Sequence, residues 1–378
     1  MSSPVGLYVH VPFCAKKCPY CDFYSVSYQR RTAEEYSVAV LEDIRSYQGR
    51  GITADTLYFG GGTPSLLPPD SIGAVIAAAK EVFSLPSDAE ITMEANPNTL
   101  TGERLAAYRA GGINRLSIGL QSADERELEA LGRMHTAAQA ASAVRMAAGQ
   151  GIDNLSLDLM IGTPYQTAQS LLRTLEFVAE LPVKHISAYL LKVEEGTPYF
   201  GSELLRFCAD EDTLADLYLL AVERLEAMGF AQYEISNFAQ PGFESRHNLK
   251  YWRCEEYLGF GPAAHAYFEG WRTCNPSSLE RYLEDRGRNP VVTDERPMDG
   301  TLPDTAPGSF DERVMLGLRL TEGIGLAGLE REFPSETVAL RKRAEPFLRA
   351  GLARLEGERL SLTPRGFLLS NTIIASLL

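Results

Sequence analysis

The sequence predicts an α/β protein: a partial (β/α)6 barrel followed by a small winged-helix-like α+β domain. Three observations carry that prediction. Short apolar, β-branched runs alternate with helical stretches six times between residues 1 and 230. A polar residue recurs at or near the C-terminal end of successive runs, the face on which barrel proteins place their sites. Beyond a stretch rich in Pro, Gly and Thr at 301–308, which reads as a linker, the order becomes helix, helix, helix, hairpin, helix.

The elements follow in chain order. The first strand, 6–11, is short and apolar and runs straight into a cysteine loop. A helix at 32–47 opens with Thr32 as N-cap and Glu35 three residues on, a capping box. Strand 56–59 leads into Gly60-Gly61-Gly62-Thr63-Pro64 and an alanine-rich helix at 71–83. Strands at 90–95, 115–120, 155–161 and 186–193 alternate with helices at 102–110, 136–149, 168–180 and 211–228. Such a succession implies parallel strands joined by right-handed crossovers. The division expected is a barrel at 1–230, a barrel extension at 231–300 and the winged-helix-like domain at 301–378. In the last, helices at 311–320, 325–333 and 337–350 precede a hairpin, 352–355 against 360–363, and a closing helix at 367–378.

Composition narrows the function. The chain has 378 residues, 45% apolar and 23% charged, with a net charge of −14. That is ample for a core and excludes a disordered or collagen-like chain. Its acidity argues against binding nucleic acid or anionic membranes as a whole. No apolar run approaches the roughly 18 residues of a membrane span. Residues 1–13 lack the basic start and small-residue cleavage site of a signal peptide, so a cytoplasmic location is expected. Residues 310–378 hold ten basic and nine acidic side chains, a net of +1. With Arg341-Lys342-Arg343 as their one basic cluster, expected on a solvated helix face, they suit a structural or partner-docking role better than DNA binding.

The cysteines point to chemistry. Three of six, Cys14, Cys18 and Cys21, fall within eight residues. In a cytoplasmic chain thiols so placed read as metal ligands rather than disulfide partners. A structural zinc site wants four closed ligands, and His10, in the first strand, is the one nearby candidate for a fourth. Three thiolates alone suit a cubane iron–sulfur cluster whose fourth iron stays open. At the ends of the later strands stand Glu94, Gln121 and Asp158, with Arg133 and His135 just beyond Gln121. Polar groups set into apolar strands are costly unless paired, so they are expected to converge on a ligand. The glycine run lacks the Lys-Ser/Thr of a phosphate loop, but glycines let backbone approach a ligand closely.

The C-x-x-x-C-x-x-C loop resembles that of the radical S-adenosylmethionine (SAM) superfamily. Together with Tyr8–Cys14, Gly60–Pro64, Glu94–Pro97, Ser117–Ser122, Leu131–Arg133, His135-Thr136 and Asp158, it resembles the oxygen-independent coproporphyrinogen III oxidase family and, within it, the haem chaperone HemW subgroup. The resemblance covers essentially the whole chain. It implies a 4Fe–4S cluster on Cys14, Cys18 and Cys21, with Tyr20 as the aromatic beside the third. It further implies SAM contacts at Tyr8, Gly61, Gly62, Thr63, Glu94, Gln121, Arg133 and Asp158.

Two departures separate the chain from the true oxidases. Asp22 and Phe23 follow Cys21, where the oxidases carry a fourth cysteine, and only 13 residues precede the loop. The extension expected at 231–300 carries His247-Asn248-Leu249-Lys250-Tyr251-Trp252, the H-N-x-x-Y-W element of the haem chaperones, so His247 is expected as an axial haem ligand. Read from the residues alone, His247 is better explained as a buried histidine beside a core Tyr–Trp pair, and the resemblance reverses that preference. His265 is open between a second ligand and a loop residue, and Cys254 and Cys274 fit no ligand spacing. The function implied is haem binding and delivery to acceptor proteins, at the membrane surface when delivering. An electron donor to the cluster is a further implied partner, and a homodimer is one assembly left open. The alternative is oxidative decarboxylation of coproporphyrinogen III.

Overall fold

The computed structural model describes residues 3–293 and 308–378; the expected linker at 301–308 lies, except for Gly308, outside the described residues. Six parallel strands form the centre: β1 (Val5–Val11), β2 (Ala54–Gly61), β3 (Glu90–Ala95), β4 (Arg115–Gln121), β5 (Asn154–Ile161) and β6 (His185–Leu190). They pair in chain order, each parallel to the next. Between them lie α1 (Arg30–Arg45), α2 (Pro69–Phe83), α3 (Gly102–Gly111), α4 (Glu125–Ala130), α5 (Ala137–Gly149) and α6 (Ala168–Ala179), with α7 (Glu211–Ala227) after β6. Strands covered on both faces lose the polar–apolar alternation of a half-exposed sheet. All seven residues of β4 are accordingly buried.

The barrel does not close. Beyond β6 the sheet continues antiparallel with β7 (Ala231–Gln232) and β8 (Asn237–Ala239), β8 lying against β6. After α8 (Arg246–Trp252) the chain crosses to the opposite edge, where β9 (Tyr257–Phe260) pairs parallel to β1. There β10 (His265–Phe268), β11 (Trp271–Cys274) and β12 (Val291–Val292) extend it antiparallel, with α9 (Leu279–Asp285) packed between β11 and β12 in sequence. Residues 231–292 thus finish both edges of one twelve-stranded sheet. The last part runs α10 (Phe310–Gly317), β13 (Ile324–Gly325), α11 (Leu326–Glu332), α12 (Pro334–Arg349), β14 (Ala353–Glu356) and β15 (Arg359–Leu362), then α13 (Pro364–Leu368) and α14 (Ser370–Leu377). Its three strands make a separate small sheet with β15 in the middle.

The structure corrects several local expectations. Helix α1 begins at Arg30 with Gln29 as N-cap and no side-chain cap. Glu35 accepts instead from Arg31 Nε at 3.1 Å, so the capping box at Thr32 does not form. A two-residue ladder of Phe13–Cys14 with Val26–Ser27 holds the chain extended until just before the helix, which removes the need for a cap further on. The closing helix breaks at Leu369 (φ −107°, ψ 16°). Lys342 and Arg343 of the basic cluster are exposed, as expected of a solvated helix face, and its two arginines are engaged. Arg343 donates to the carbonyls of Leu377 and Leu378, and Arg341 pairs with Glu330 and Glu358.

Helix α4 has no apolar period and is missed by pattern reading. A buried carboxylate holds it. Glu127, 1% exposed, accepts from Ser122 Oγ (2.8 Å), Ser170 Oγ (2.5 Å), Gln166 Nε2 (3.0 Å) and Thr163 Oγ1 (3.3 Å). These donors come from the ends of β4 and β5 and from the start of α6, so α4 is tied to the rim of the barrel. Replacing Glu127 by Ala strands four donors in the interior, and urea unfolding should show a loss of about 3 kcal/mol. A loss within the range of an ordinary surface change, about 0.5 kcal/mol, would contradict this account of the network.

Candidate functional site

The cysteine loop is pinned at its base. Phe13 is fully buried, edge-on to the rings of Tyr28 and Tyr36 at 5.9 and 5.4 Å. Between that anchor and Val26 the chain makes a turn, with Cys21 N donating to Cys18 O at 3.1 Å. Cys14, Cys18 and Cys21 all line one cavity of about 480 Å³ at the C-terminal ends of the strands. The glycine run lies directly against the loop. Gly62 N donates to Val11 O at 2.8 Å and Thr63 N to Phe13 O at 2.7 Å. A Cβ on Gly62 would come within 2.7 Å of Phe13 O, and Gly61 has φ +105°, so neither position tolerates a side chain.

The charged groups line the same cavity. Glu94 Oε1 accepts from Tyr58 Oη at 2.9 Å and Oε2 from Gly61 N at 3.2 Å. Burial, and next the Asp158 carboxylate, push Glu94 up to about 7. Asp158 accepts from Ser117 Oγ at 2.7 Å and is also raised, chiefly by burial. Arg133 Nη2 donates to Gly119 O at 3.1 Å and Nη1 to Cys18 Sγ at 3.5 Å. Although burial opposes its charge, the neighbouring Tyr20 and Cys18 raise its pKa. Burial, then repulsion from Cys18 and Cys14, raise the Cys21 thiol.

Of the eight positions expected to contact SAM, seven line this cavity, Gly61, Gly62, Thr63, Glu94, Gln121, Arg133 and Asp158, and Tyr20, expected beside the third cysteine, lines it too. Tyr8 does not. Its hydroxyl is 3.1 Å from His10 Nδ1, and its ring packs in a cluster with those of Tyr58 and His247, at 6.2 and 6.5 Å. Tyr58, Asn96 and Tyr189 also line it and are missed by sequence reading. Strand parity could have found two of them, since Tyr58 precedes Gly60 by two positions and Tyr189 follows Ser187 by two.

His247, expected as a haem ligand, lies inside the protein. It is fully buried, with Nδ1 2.8 Å from Thr56 Oγ1 and Nε2 2.7 Å from Tyr251 Oη. Burial, and then Lys250, pull it down to about 3, so the ring is neutral and both nitrogens are engaged. An axial ligand needs a free nitrogen at a surface or cavity, and His247 offers neither. His10, His135 and His185 are also buried, whereas His265 is exposed on β10. Neither His265 nor Cys208, Cys254 or Cys274 lines the cavity.

The residues fit an iron–sulfur cluster with SAM beside it. Arg133 Nε is buried without a hydrogen-bond partner among the described residues, a donor aimed at nothing the protein supplies. Gln121 takes φ +71°, a left-handed conformation rare for its type and typical of functional sites. Among the described residues no three His, Cys, Asp or Glu side chains gather closely enough to share a single metal ion. Three thiols lining one cavity suit a cluster, in which each thiolate takes its own iron.

Comparison with known proteins agrees. The radical SAM superfamily matches residues 8–178, and the HemN C-terminal domain matches residues 310–369. The chain is 36% identical over 384 residues to the heme chaperone HemW of Mycobacterium tuberculosis, covering 99% of this chain and 95% of that one. To the heme chaperone HemW of Escherichia coli it is 40% identical over 267 residues, covering 69% and 70%. The solved structure of coproporphyrinogen III oxidase (HemN) from Escherichia coli shares the fold, with a TM-score of 0.81 at 22% identity over 100% of this chain and 90% of that one. The chain belongs to the radical SAM superfamily and, within it, to the family of the oxygen-independent coproporphyrinogen III oxidases and the HemW heme chaperones.

Proposed function

We propose that this chain is a haem chaperone built on a radical SAM barrel, one that binds haem and passes it to acceptor proteins in the cytoplasm or at the membrane surface. One observation carries the reading. The thiols, the glycine run and the buried charges converge on a single cavity, in a chain matched end to end by a relative named as a heme chaperone. Membership of the superfamily implies a 4Fe–4S cluster and SAM. When bound, the cluster supplies the single electron that cleaves the sulfonium of SAM, so a one-electron donor is a required partner.

The protein's own residues have distinct parts in this reading. Cys14, Cys18 and Cys21 hold three irons and leave the fourth for SAM. Gly61 and Gly62 bring backbone close to the ligand, and Glu94 accepts from its amino or hydroxyl groups. Arg133, with its spare Nε, pairs with a carboxylate. Asp22 and Phe23 line the cavity where the oxidases place a fourth cysteine, which favours the chaperone over decarboxylation.

The Glu94 carboxyl makes the site pH-sensitive. Its folded value of about 7 lies above its ordinary 4.5, so ionising it in the ligand-free fold is destabilising. The contribution it makes is fully present below 4.5 and lost as pH rises through 7. Glu94→Gln should therefore match the wild type in thermal unfolding near pH 4.5 and exceed it above pH 7. SAM binding, which needs the ionised form as acceptor, should strengthen for the cluster-loaded wild type as pH rises through 7. In the Gln variant calorimetry should find weak binding that is flat across that range. Parallel pH profiles for both proteins would contradict the assignment.

The function is tested directly by anaerobic reconstitution. The expected result is one 4Fe–4S cluster, lost or unstable in Cys14→Ala, Cys18→Ala or Cys21→Ala and intact in Cys208→Ala or Cys274→Ala. The same protein should bind haem by titration and release it to an apo-haemoprotein, without converting coproporphyrinogen III. Decarboxylation of that substrate in the absence of haem binding would replace the chaperone reading with the oxidase.

A further inference from the structure

Four rings pack together where α8 meets β1 and β2. Tyr58 and His247 stack at 5.2 Å with a tilt of 26°. Tyr8 lies 6.2 and 6.5 Å from these two, and Tyr251 lies 5.1 Å from His247. Glycines make the room. A Cβ on Gly6 would come within 3.2 Å of the His247 ring, and one on Gly60 within 3.0 Å of the Tyr58 ring. Of the four rings, only Tyr58 lines the cluster cavity.

His247 is held on every side. Glu90 accepts from the backbone amides of Arg246 (3.2 Å) and His247 (3.0 Å), and Lys250 Nζ is 3.0 Å from Asp55 Oδ1. These contacts fix α8 against β2 and β3. The imidazole itself is clasped, with Nδ1 2.8 Å from Thr56 Oγ1 and Nε2 2.7 Å from Tyr251 Oη. Thr56 and Tyr58 are two apart on one strand, so their side chains leave the same face. The imidazole spans both: it shares a hydrogen bond with the first and stacks on the second.

Tyr58 passes this order on to the cavity. Its hydroxyl donates to Glu94 Oε1 at 2.9 Å, while Gly61 N donates to Oε2 at 3.2 Å. A carboxylate oxygen accepts more than one hydrogen bond, so both keep room for a donor on a ligand. The imidazole against its face restricts the tilt of the phenol, and with it the place of the hydroxyl. We infer that His247 is a positioning residue for SAM binding: stacked on Tyr58, it holds the hydroxyl that orients the Glu94 carboxylate toward the ligand. The inference rests on SAM occupying the cluster cavity, and it gives the H-N-x-x-Y part of the element a task there. Tyr251, one helical turn on, keeps the imidazole in one orientation. The route is short: imidazole, phenol, carboxylate.

The test uses full-length, cluster-loaded protein, with SAM affinity measured by calorimetry and Tm by circular dichroism. Two variants separate the ring from its hydrogen bonds. His247→Gln keeps a hydrogen-bonding group and removes the ring, and should bind SAM about fivefold more weakly, the worth of an aromatic pair. His247→Phe restores a ring and leaves the Thr56 and Tyr251 hydroxyls unpartnered. Its Tm should fall, while its affinity returns to within about twofold of the wild type. Tyr58→Phe should lose about tenfold, the value of a hydrogen bond to a charged group. In that background His247→Gln should cost nothing more, because the hydroxyl it serves is gone. If His247→Gln loses its cluster, His247→Leu, also without a ring, takes its place with the same expectation. Losses that add in the double variant, or an affinity that follows Tm across the series, would overturn the inference and leave His247 a support of the fold alone. Absence of SAM binding by the wild type would overturn the placing of SAM as well.

Discussion

The site depends on one close backbone contact, the docking of Gly61–Thr63 at the end of β2 against Val11–Phe13 at the end of β1. Two amide-to-carbonyl hydrogen bonds of 2.8 and 2.7 Å close it, and no Cβ fits between the chains at Gly62. The contact fixes the cysteine loop relative to the strand next door. Through the amide of Gly61 it also fixes Glu94 on the strand after that. Thiols and carboxylate are thus held by backbone geometry rather than by flexible side chains, the kind of support that preorganises a site.

That geometry comes at an electrostatic cost, and the structure shows where it falls. Burial raises both Glu94 and Asp158, and the Asp158 charge raises Glu94 further. Their hydrogen-bond partners are neutral, Tyr58 and the Gly61 amide for one, Ser117 and Ser187 for the other. Arg133 carries the compensating charge, with one donor left over. Groups so poised are stabilised by a ligand that brings charge of its own, and a zwitterionic amino acid moiety has both signs to offer. The cost of keeping them buried is offset by the apolar strands around them, β4 above all.

Much of this was legible in the sequence because parallel strands advertise themselves. Buried on both faces, they read as apolar runs, and a lone Glu, Gln or Asp at their ends stands out. The thiol spacing needed no structure at all. What escaped was of three kinds. Helix α4 is stabilised by Glu127 and its four donors, three of which come from 36 to 43 residues further along the chain, so no local period betrays it. The capping box at Thr32 failed because tertiary pairing of Phe13–Cys14 with Val26–Ser27 set where the helix could start. The surroundings of His247 were not legible because a sequence motif reports that a histidine matters without saying which way it faces. Two hydrogen bonds and three aromatic neighbours make it a keystone of the helix that ends at Trp252.

The central claim is that the three thiols and the charged groups of the cavity serve one bound pair, a cluster and SAM touching it. Electron–nuclear double resonance on the reduced cluster, with SAM isotopically labelled at its amino nitrogen, tests that contact most directly. The account predicts a hyperfine coupling strong enough to require direct bonding of the nitrogen to iron, diminished in Glu94→Gln. A cluster signal unaffected by labelled SAM, at concentrations where calorimetry shows the ligand bound, would contradict it.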